Sequence, residues 1–381
     1  MKIISLGTAY PYRGGLAAYN ERLAKQFVNE GHEVTIFTFS LQYPGFLFPG
    51  KSQYLEGSPP EGINIERNIN SINPFNWISV GYKIRKEKPD ILIIKYWFPF
   101  MSPCFGTIAR IARSNNHTKV ICIFDNVIPH EKKPGDRLLT KYFVSCIHGA
   151  VAMSQSVMND LRLFRKYIPA KLNPHPLFDN FGDPVSKEDA LIKLGLDRNS
   201  KYLLFFGFIR AYKGLDLLIE AFADNRLRNK YLKLIIAGEF YEKSKPYHDL
   251  VKMHNLENDI IFYDRFINDN EVKIFFSIAD LVVQPYKSAT QSGVTQIAFH
   301  FEKPMLVTDV GGLGEIVPDG ICGYVVKPEP NEITESILDY FDNNREAHFT
   351  EGVKKEKDKF AWNKMTASII EVYHECLATQ T

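Results

Sequence analysis

The sequence predicts an α/β protein built on two doubly wound parallel sheets. Its 381 residues exceed what one ordinary core organises, so two domains are expected. Short runs rich in Ile, Val, Leu and Phe recur without polar alternation, as strands covered on both faces require. Amphipathic stretches separate these runs, and strand–helix alternation winds helices onto both faces of a parallel sheet. A hydrophobic content of 45% against 24% charged residues is that of a chain able to bury sizeable cores.

The first series of strands is read at Lys2–Leu6, Glu33–Phe39, Asp90–Ile94, Lys119–Phe124 and Ala150–Met153. The second is read at Tyr202–Phe206, Leu232–Ala237, Asp259–Tyr263, Asp280–Gln284, Met305–Thr308 and Gly323–Val326. Helical patterns include Ala17–Glu30, Trp77–Glu87, Leu215–Phe222 and Glu332–Phe341. Between the two series, residues 172–186 hold three prolines and a glycine, which disfavours helix or central strand. The domains are therefore expected at 1–176 and 177–360. The Lys-rich stretch Lys354–Lys359 reads as a solvated helix face or linker, and 361–381 as an amphipathic helix packed on one of the domains.

Several classes are disfavoured. The five cysteines are scattered and form no CxxC pair, so neither a disulfide framework nor a zinc knuckle is suggested, and a cytoplasmic location is expected. The apolar start is shorter than a signal-peptide core. The most apolar run, Ile91 to Met101, is interrupted by Lys95 and Pro99 and is about half a membrane span. No recognition-helix, zinc-finger or RNP signature points to nucleic acid. The net charge of +2 conceals an asymmetry: residues 1–175 carry +10 and the remainder −8. A basic first half suits an anionic partner, either a membrane surface or a phosphorylated acceptor, although solubilising surface charge is the plain alternative.

Four clusters carry candidate chemistry. Arg13-Gly14-Gly15-Leu16 lies between the first strand and a helical pattern, where glycines let backbone amides approach a phosphate. It lacks the dinucleotide GxGxxG spacing, and a tight turn is the plain reading. Phe206-Gly207-Phe208-Ile209-Arg210 and Lys213-Gly214 close the first strand of the second half. There Arg210 and Lys213 can converge on one anion, Arg as a planar fork and Lys as a point charge. Gln291-Ser292-Gly293-Val294 opens a helix, with Ser292 or Thr290 as cap and the amides of Gly293 and Val294 offered to an anionic oxygen. Phe124-Asp125-Asn126 followed by Pro129-His130-Glu131 places Asp125 and His130 where they can bond sugar hydroxyls or an acceptor.

In order and spacing these motifs resemble the retaining GT-B glycosyltransferases of the large family that contains sucrose synthase and the phosphatidylinositol mannosyltransferases, a family-4-like group. The resemblance rests on Gly14-Gly15, Leu23-Ala24 and Gly31-His32-Glu33-Val34, then Gly207, Arg210 and Lys213-Gly214, and finally Lys303-Pro304 with Gly311-Gly312 and Glu315. It implies two Rossmann-like domains facing across a cleft, acceptor domain first and nucleotide-sugar donor domain second, with a final helix near Trp362 crossing back. It also implies that Gly15, Arg210 and Lys213 face a donor diphosphate, with Gly14, Gly207, Gly238, Arg265, Ile267, Gln291, Ser292, Gly293 and Val294 completing the donor site. The family commonly has two glutamates eight positions apart before Lys-Pro; here those places hold Ala289 and Ile297. The Gln-Ser-Gly turn resembles a bacterial subgroup, and Gln296, about 100° round a helix from Ile297, is no simple replacement.

The expected reaction is sugar transfer from a nucleotide-diphosphate donor to a glycan or lipid-linked acceptor, with charge on the departing diphosphate held by Arg210, Lys213 and the helix amides. Retention of configuration is implied by the resemblance alone. No Asp-x-Asp cluster is present, so neither a metal nor another cofactor is expected. The protein is expected in the cytoplasm, with peripheral contact to the inner face of the membrane. A nucleotide-sugar 2-epimerase of the same fold and a non-catalytic nucleotide-sugar binder remain open; a dehydrogenase lacks its fingerprint.

Overall fold

The computed structural model describes residues 1–44, 53–55, 58–129, 133–228, 230–289 and 292–378. The chain divides into two compact units, Met1–Pro176 with Ala361–Thr381, and Leu177–Phe360.

The first unit holds β1 (Lys2–Leu6), β2 (Glu33–Leu41), β3 (Asn64–Asn70), β4 (Ile91–Tyr96), β5 (Lys119–Phe124), β6 (Gly149–Ala152) and β7 (Ala170–Leu172). They lie in the order β3-β2-β1-β4-β5-β6-β7 and every pairing is parallel. The central strands β4 and β5 are buried along their whole length, because helices cover both faces. Tyr96 at the end of β4 stacks on Phe143 at 4.5 Å between ring centres, tying the sheet to the helix Asp136–Val144. The last helix, Trp362–Ala378, packs on β6: a side chain on Gly149 would begin 2.3 Å from Val372 Cγ1, so only glycine admits this approach.

The second unit holds β8 (Lys201–Phe206), β9 (Leu232–Ala237), β10 (Ile260–Tyr263), β11 (Leu281–Gln284), β12 (Met305–Thr308) and β13 (Gly323–Val326). Their order is β10-β9-β8-β11-β12-β13, again all parallel. In each unit the order reverses beside the first strand, between β1 and β4 and between β8 and β11. In open α/β sheets the crevice beyond the carboxyl ends at such a reversal receives ligands. The fold is thus two Rossmann-like α/β units, as the sequence predicts.

The strands expected from sequence appear with ends shifted by at most two residues. Two were not anticipated: β3, with the polar sequence Asn-Ile-Glu-Arg-Asn-Ile-Asn, and the three-residue β7. Both are edge strands with one neighbour, so neither needs an unbroken apolar run.

Candidate functional site

In the second unit the chain leaves β8 through Gly207, whose φ of 97° favours glycine. After Arg210 a single 3₁₀ turn, Ala211–Lys213, leads through Gly214 (φ 66°) into the helix Leu215–Phe222. A side chain on Gly214 would begin 1.9 Å from the carbonyl oxygen of Pro285, just past β11. The two loops that flank the reversal are therefore packed backbone to backbone.

The turn carries Lys213 inward. Its ammonium would lie 3.1 Å from a side chain begun at Gly207, where Val294 Cγ2 would lie 3.5 Å away. The buried cation, the glycine turn and the start of the helix Gly293–His300 thus meet. Lys213 also lies over the ring of Tyr286, 5.5 Å from its centre. Among the described residues no carboxylate pairs with it. Burial, then the nearby charge of Arg210, lowers its pKa to about 8. Arg210 is exposed and stacks its guanidinium over Tyr241, 5.1 Å from the ring centre. It too forms no ion pair among the described residues. Two cations without a counter-ion among the described residues, at the carboxyl edge of the sheet, have the chemistry to receive an anion.

Other members of the expected donor set are placed as follows. Gly238, after β9, would put a side chain 2.0 Å from the Gly207 carbonyl oxygen, so it serves the close packing of the β8 and β9 loops. Ser292 caps the helix Gly293–His300, its Oγ accepting the Val294 N–H at 3.2 Å. The expected free amide at Val294 is thereby corrected: the cap already takes it, while no acceptor among the described residues takes that of Gly293. Arg265, expected in the donor site, is engaged within its own loop. Both its terminal nitrogens close on Glu271, at 2.8 and 2.6 Å, and Glu271 in turn caps the helix Asp269–Ile278. Ile267 is buried. Gln291 and Thr290 lie outside the described residues. Ala289 and Ile297 are both buried and apolar, and Gln296 is fully buried with both amide atoms unpartnered among the described residues.

Sequence reasoning passed over Tyr286. Its hydroxyl shares a hydrogen bond with Ser292 Oγ at 3.2 Å, and its carbonyl accepts from Thr308 at 2.6 Å. It links the wall beside Lys213 to the helix cap. The Pro-Tyr immediately after a strand was its only sequence signal.

In the first unit, Gly14 (φ 99°) precedes the helix Gly15–Asn29, and among the described residues nothing lies within 4 Å of where its side chain would begin. The first turn from Gly15 contains no acidic residue, so its amide dipoles are not internally offset. Asp125, expected to bond sugar hydroxyls or an acceptor, lies just past β5 and is paired with a lysine. Lys95 near the end of β4 holds its Oδ1 at 2.6 Å. Burial pushes this carboxyl's pKa up and Lys95 pulls it back; burial pushes Lys95 down and Asp125 holds it up. Lys95 is 1% exposed and sits 3.6 Å from the centre of the Tyr19 ring. The ring of His175 meets Tyr19 edge-on at 5.0 Å, and burial beside Lys95 drives its pKa to about 3. His130 and Glu131 lie outside the described residues. Val127, Lys133, Arg137 and Phe164 help line a cavity of about 390 Å³.

No helix among the described residues is long and apolar enough to cross a membrane, and no group of three metal-binding side chains gathers among them.

Known proteins share this fold. The family described as Glycosyl transferases group 1 matches residues 186–356, and Glycosyltransferase Family 4 matches residues 13–173. An uncharacterized glycosyltransferase of Methanocaldococcus jannaschii is 28% identical, with 98% of each chain covered. The sucrose-phosphate synthase of Thermosynechococcus elongatus superposes with a TM-score of 0.74 at 17% identity, covering 100% of both chains. Anabaena HepE in complex with UDP and glucose superposes with a TM-score of 0.73 at 16% identity, covering 98% of this chain and 100% of its own. The two family matches divide the chain where its two sheets divide it, and together they make it a GT-B glycosyltransferase of the group 1 and family 4 kind.

Proposed function

We propose that this glycosyltransferase takes its sugar from a nucleotide-diphosphate donor held by the second unit, and delivers it with retention of configuration to a glycan or lipid-linked acceptor held by the first. The observation that carries the reading is Lys213, a buried ammonium without a carboxylate partner among the described residues, set against Gly207 and the start of the helix Gly293–His300. The glycosyl–diphosphate bond is already activated, so the barrier lies in charge building on the departing oxygen. Lys213, Arg210 and the Gly293 amide stabilise that charge from fixed positions. Transfer proceeds on one face of the sugar, the leaving phosphate oxygen taking the acceptor proton, so no pair of protein carboxylates and no metal is needed. The presence of UDP in the related Anabaena structure supports a uridine or similar nucleotide.

Asp125, oriented by Lys95, offers its remaining oxygen to an acceptor hydroxyl. The +10 charge of residues 1–175 supports an acceptor that is itself anionic or membrane-borne. Incubation with a panel of nucleotide sugars and candidate acceptors tests the reading. Release of nucleoside diphosphate together with an α-linked product from an α-linked donor is expected. An isomerised nucleotide sugar would identify an epimerase instead. No product with any donor, despite binding, would leave only a binder.

A further inference from the structure

At the opposite end of the first unit's sheet, the amino ends of β5, β6 and β7 border a second cavity of about 440 Å³. Strand β5 alone spans about 20 Å, six residues at some 3.3 Å each, so this cavity is well separated from Asp125 at the strand's carboxyl end. Arg113, Arg165 and His148 line it, with Tyr167 at the rim and Cys376 buried in the wall, and none of the residues lining it is acidic. We propose that it is a binding site for a phosphate-type anion, a phosphomonoester or diphosphate.

The two arginines come from different segments. Arg113 follows the helix Ser102–Ala112, and Arg165 follows the helix Gln155–Phe164. Each spends one terminal nitrogen on carbonyls around the end of the helix Asp136–Val144. Arg113 reaches Cys146 at 3.1 Å, and Arg165 reaches Ile147 at 2.7 Å and Val144 at 3.2 Å. A helix carboxyl end carries only about half a negative charge, so two whole positive charges are not balanced by it. Neither guanidinium meets a carboxylate among the described residues, and each retains N–H groups beyond Nη1. Burial and then Arg113 lower the pKa of Arg165, the mark of cations held together without a counter-ion.

His148 is set up as a neutral donor. Its Nδ1 accepts the Val120 N–H at 2.9 Å, which leaves the ring proton on Nε2. Burial, then Arg113, Lys119 and Arg165, drives its pKa to about 4, so it adds a hydrogen bond without a further charge. Two guanidinium forks and one imidazole N–H around a small cavity suit a tetrahedral dianion better than a carboxylate.

The anion is either a free phosphate compound or the headgroup of an anionic lipid, and hydrogen exchange on the unmodified protein separates the two. One arm adds inorganic pyrophosphate. The other adds phosphatidylcholine vesicles with or without phosphatidic acid. Slowed exchange in segments 113–119, 145–149 and 165–169 with pyrophosphate supports a soluble ligand. Slowed exchange there only with phosphatidic-acid vesicles supports a headgroup. Arg113→Gln should raise the concentration needed by about tenfold or more, as loss of a charge-assisted hydrogen bond implies. Arg113→Lys, which keeps the charge, should recover part of it. Protection at neither ligand, protection confined to residues 207–214 and 292–294, or protection unchanged in Arg113→Gln would overturn the proposal.

Discussion

Lys213 and Gly207 are complementary: the ammonium lies 3.1 Å from where a side chain on the glycine would begin, tighter than ordinary contact. Position 207 thus affects both the backbone and the anion site. Gly207→Ala should lower stability by about 1–2 kcal/mol through its φ of 97°, and should also displace the ammonium. Turnover should fall by far more than stability alone explains. Denaturant titration beside steady-state kinetics measures both, and wild-type turnover in a folded Gly207→Ala protein would show that Lys213 is not held for catalysis.

Arg210→Ala should reduce turnover by about 10²–10³, the usual consequence of removing one donor to a developing oxyanion. Because Arg210 is exposed and, among the described residues, stacks only on Tyr241, its loss should leave folding nearly intact. Kinetics at saturating donor separate the effect on chemistry from that on binding.

The titration of Lys213 gives a pH signature with a defined sign. Burial and Arg210 lower its pKa to about 8 from an ordinary 10.5. Below 8 the site is charged; as pH rises through 8 the charge and the affinity for a diphosphate decline. A bound diphosphate restores the higher pKa, so binding at about pH 9 takes up a proton, whereas binding at about pH 6.5 does not. Between 8 and 10.5 the unfolded chain binds more protons than the free folded protein, so this group makes stability rise with pH there. Calorimetry in buffers of different ionisation enthalpy reads the uptake, which Lys213→Met should abolish.

The Lys95–Asp125 pair should behave as a buried unit. Lys95→Met leaves a carboxylate in a largely desolvated place and should cost about 3–5 kcal/mol. The double variant with Asp125→Asn should recover a substantial part, which a double-mutant cycle measures. Purely additive losses would mean that the two charges do not support each other.

What could be read from sequence follows from how locally each feature is determined. Strands β4, β5, β8 and β9 are buried on both faces, so composition alone marks them, whereas edge strands β3 and β7 carry no such mark. Arg210 and Lys213 were legible because glycines bracket them within nine residues. Lys95 registered only as an interruption in an apolar run. Its partner is thirty residues away, and their contact depends on β4 and β5 being neighbours in the sheet. The closure of Arg265 on Glu271 was hidden similarly, since nothing in the spacing tells a ligand contact from a helix cap.

The central claim, that Lys213 and Arg210 receive a diphosphate, is tested most directly by thermal stabilisation with nucleotide sugars. At a hundredfold excess over its dissociation constant, the true donor should stabilise the second unit by about 2.7 kcal/mol. Lys213→Met should lose most of that shift at the same concentration while keeping its unliganded melting temperature within a few degrees. An equal shift in Lys213→Met and the unaltered protein would contradict the claim, because the diphosphate would then be held elsewhere.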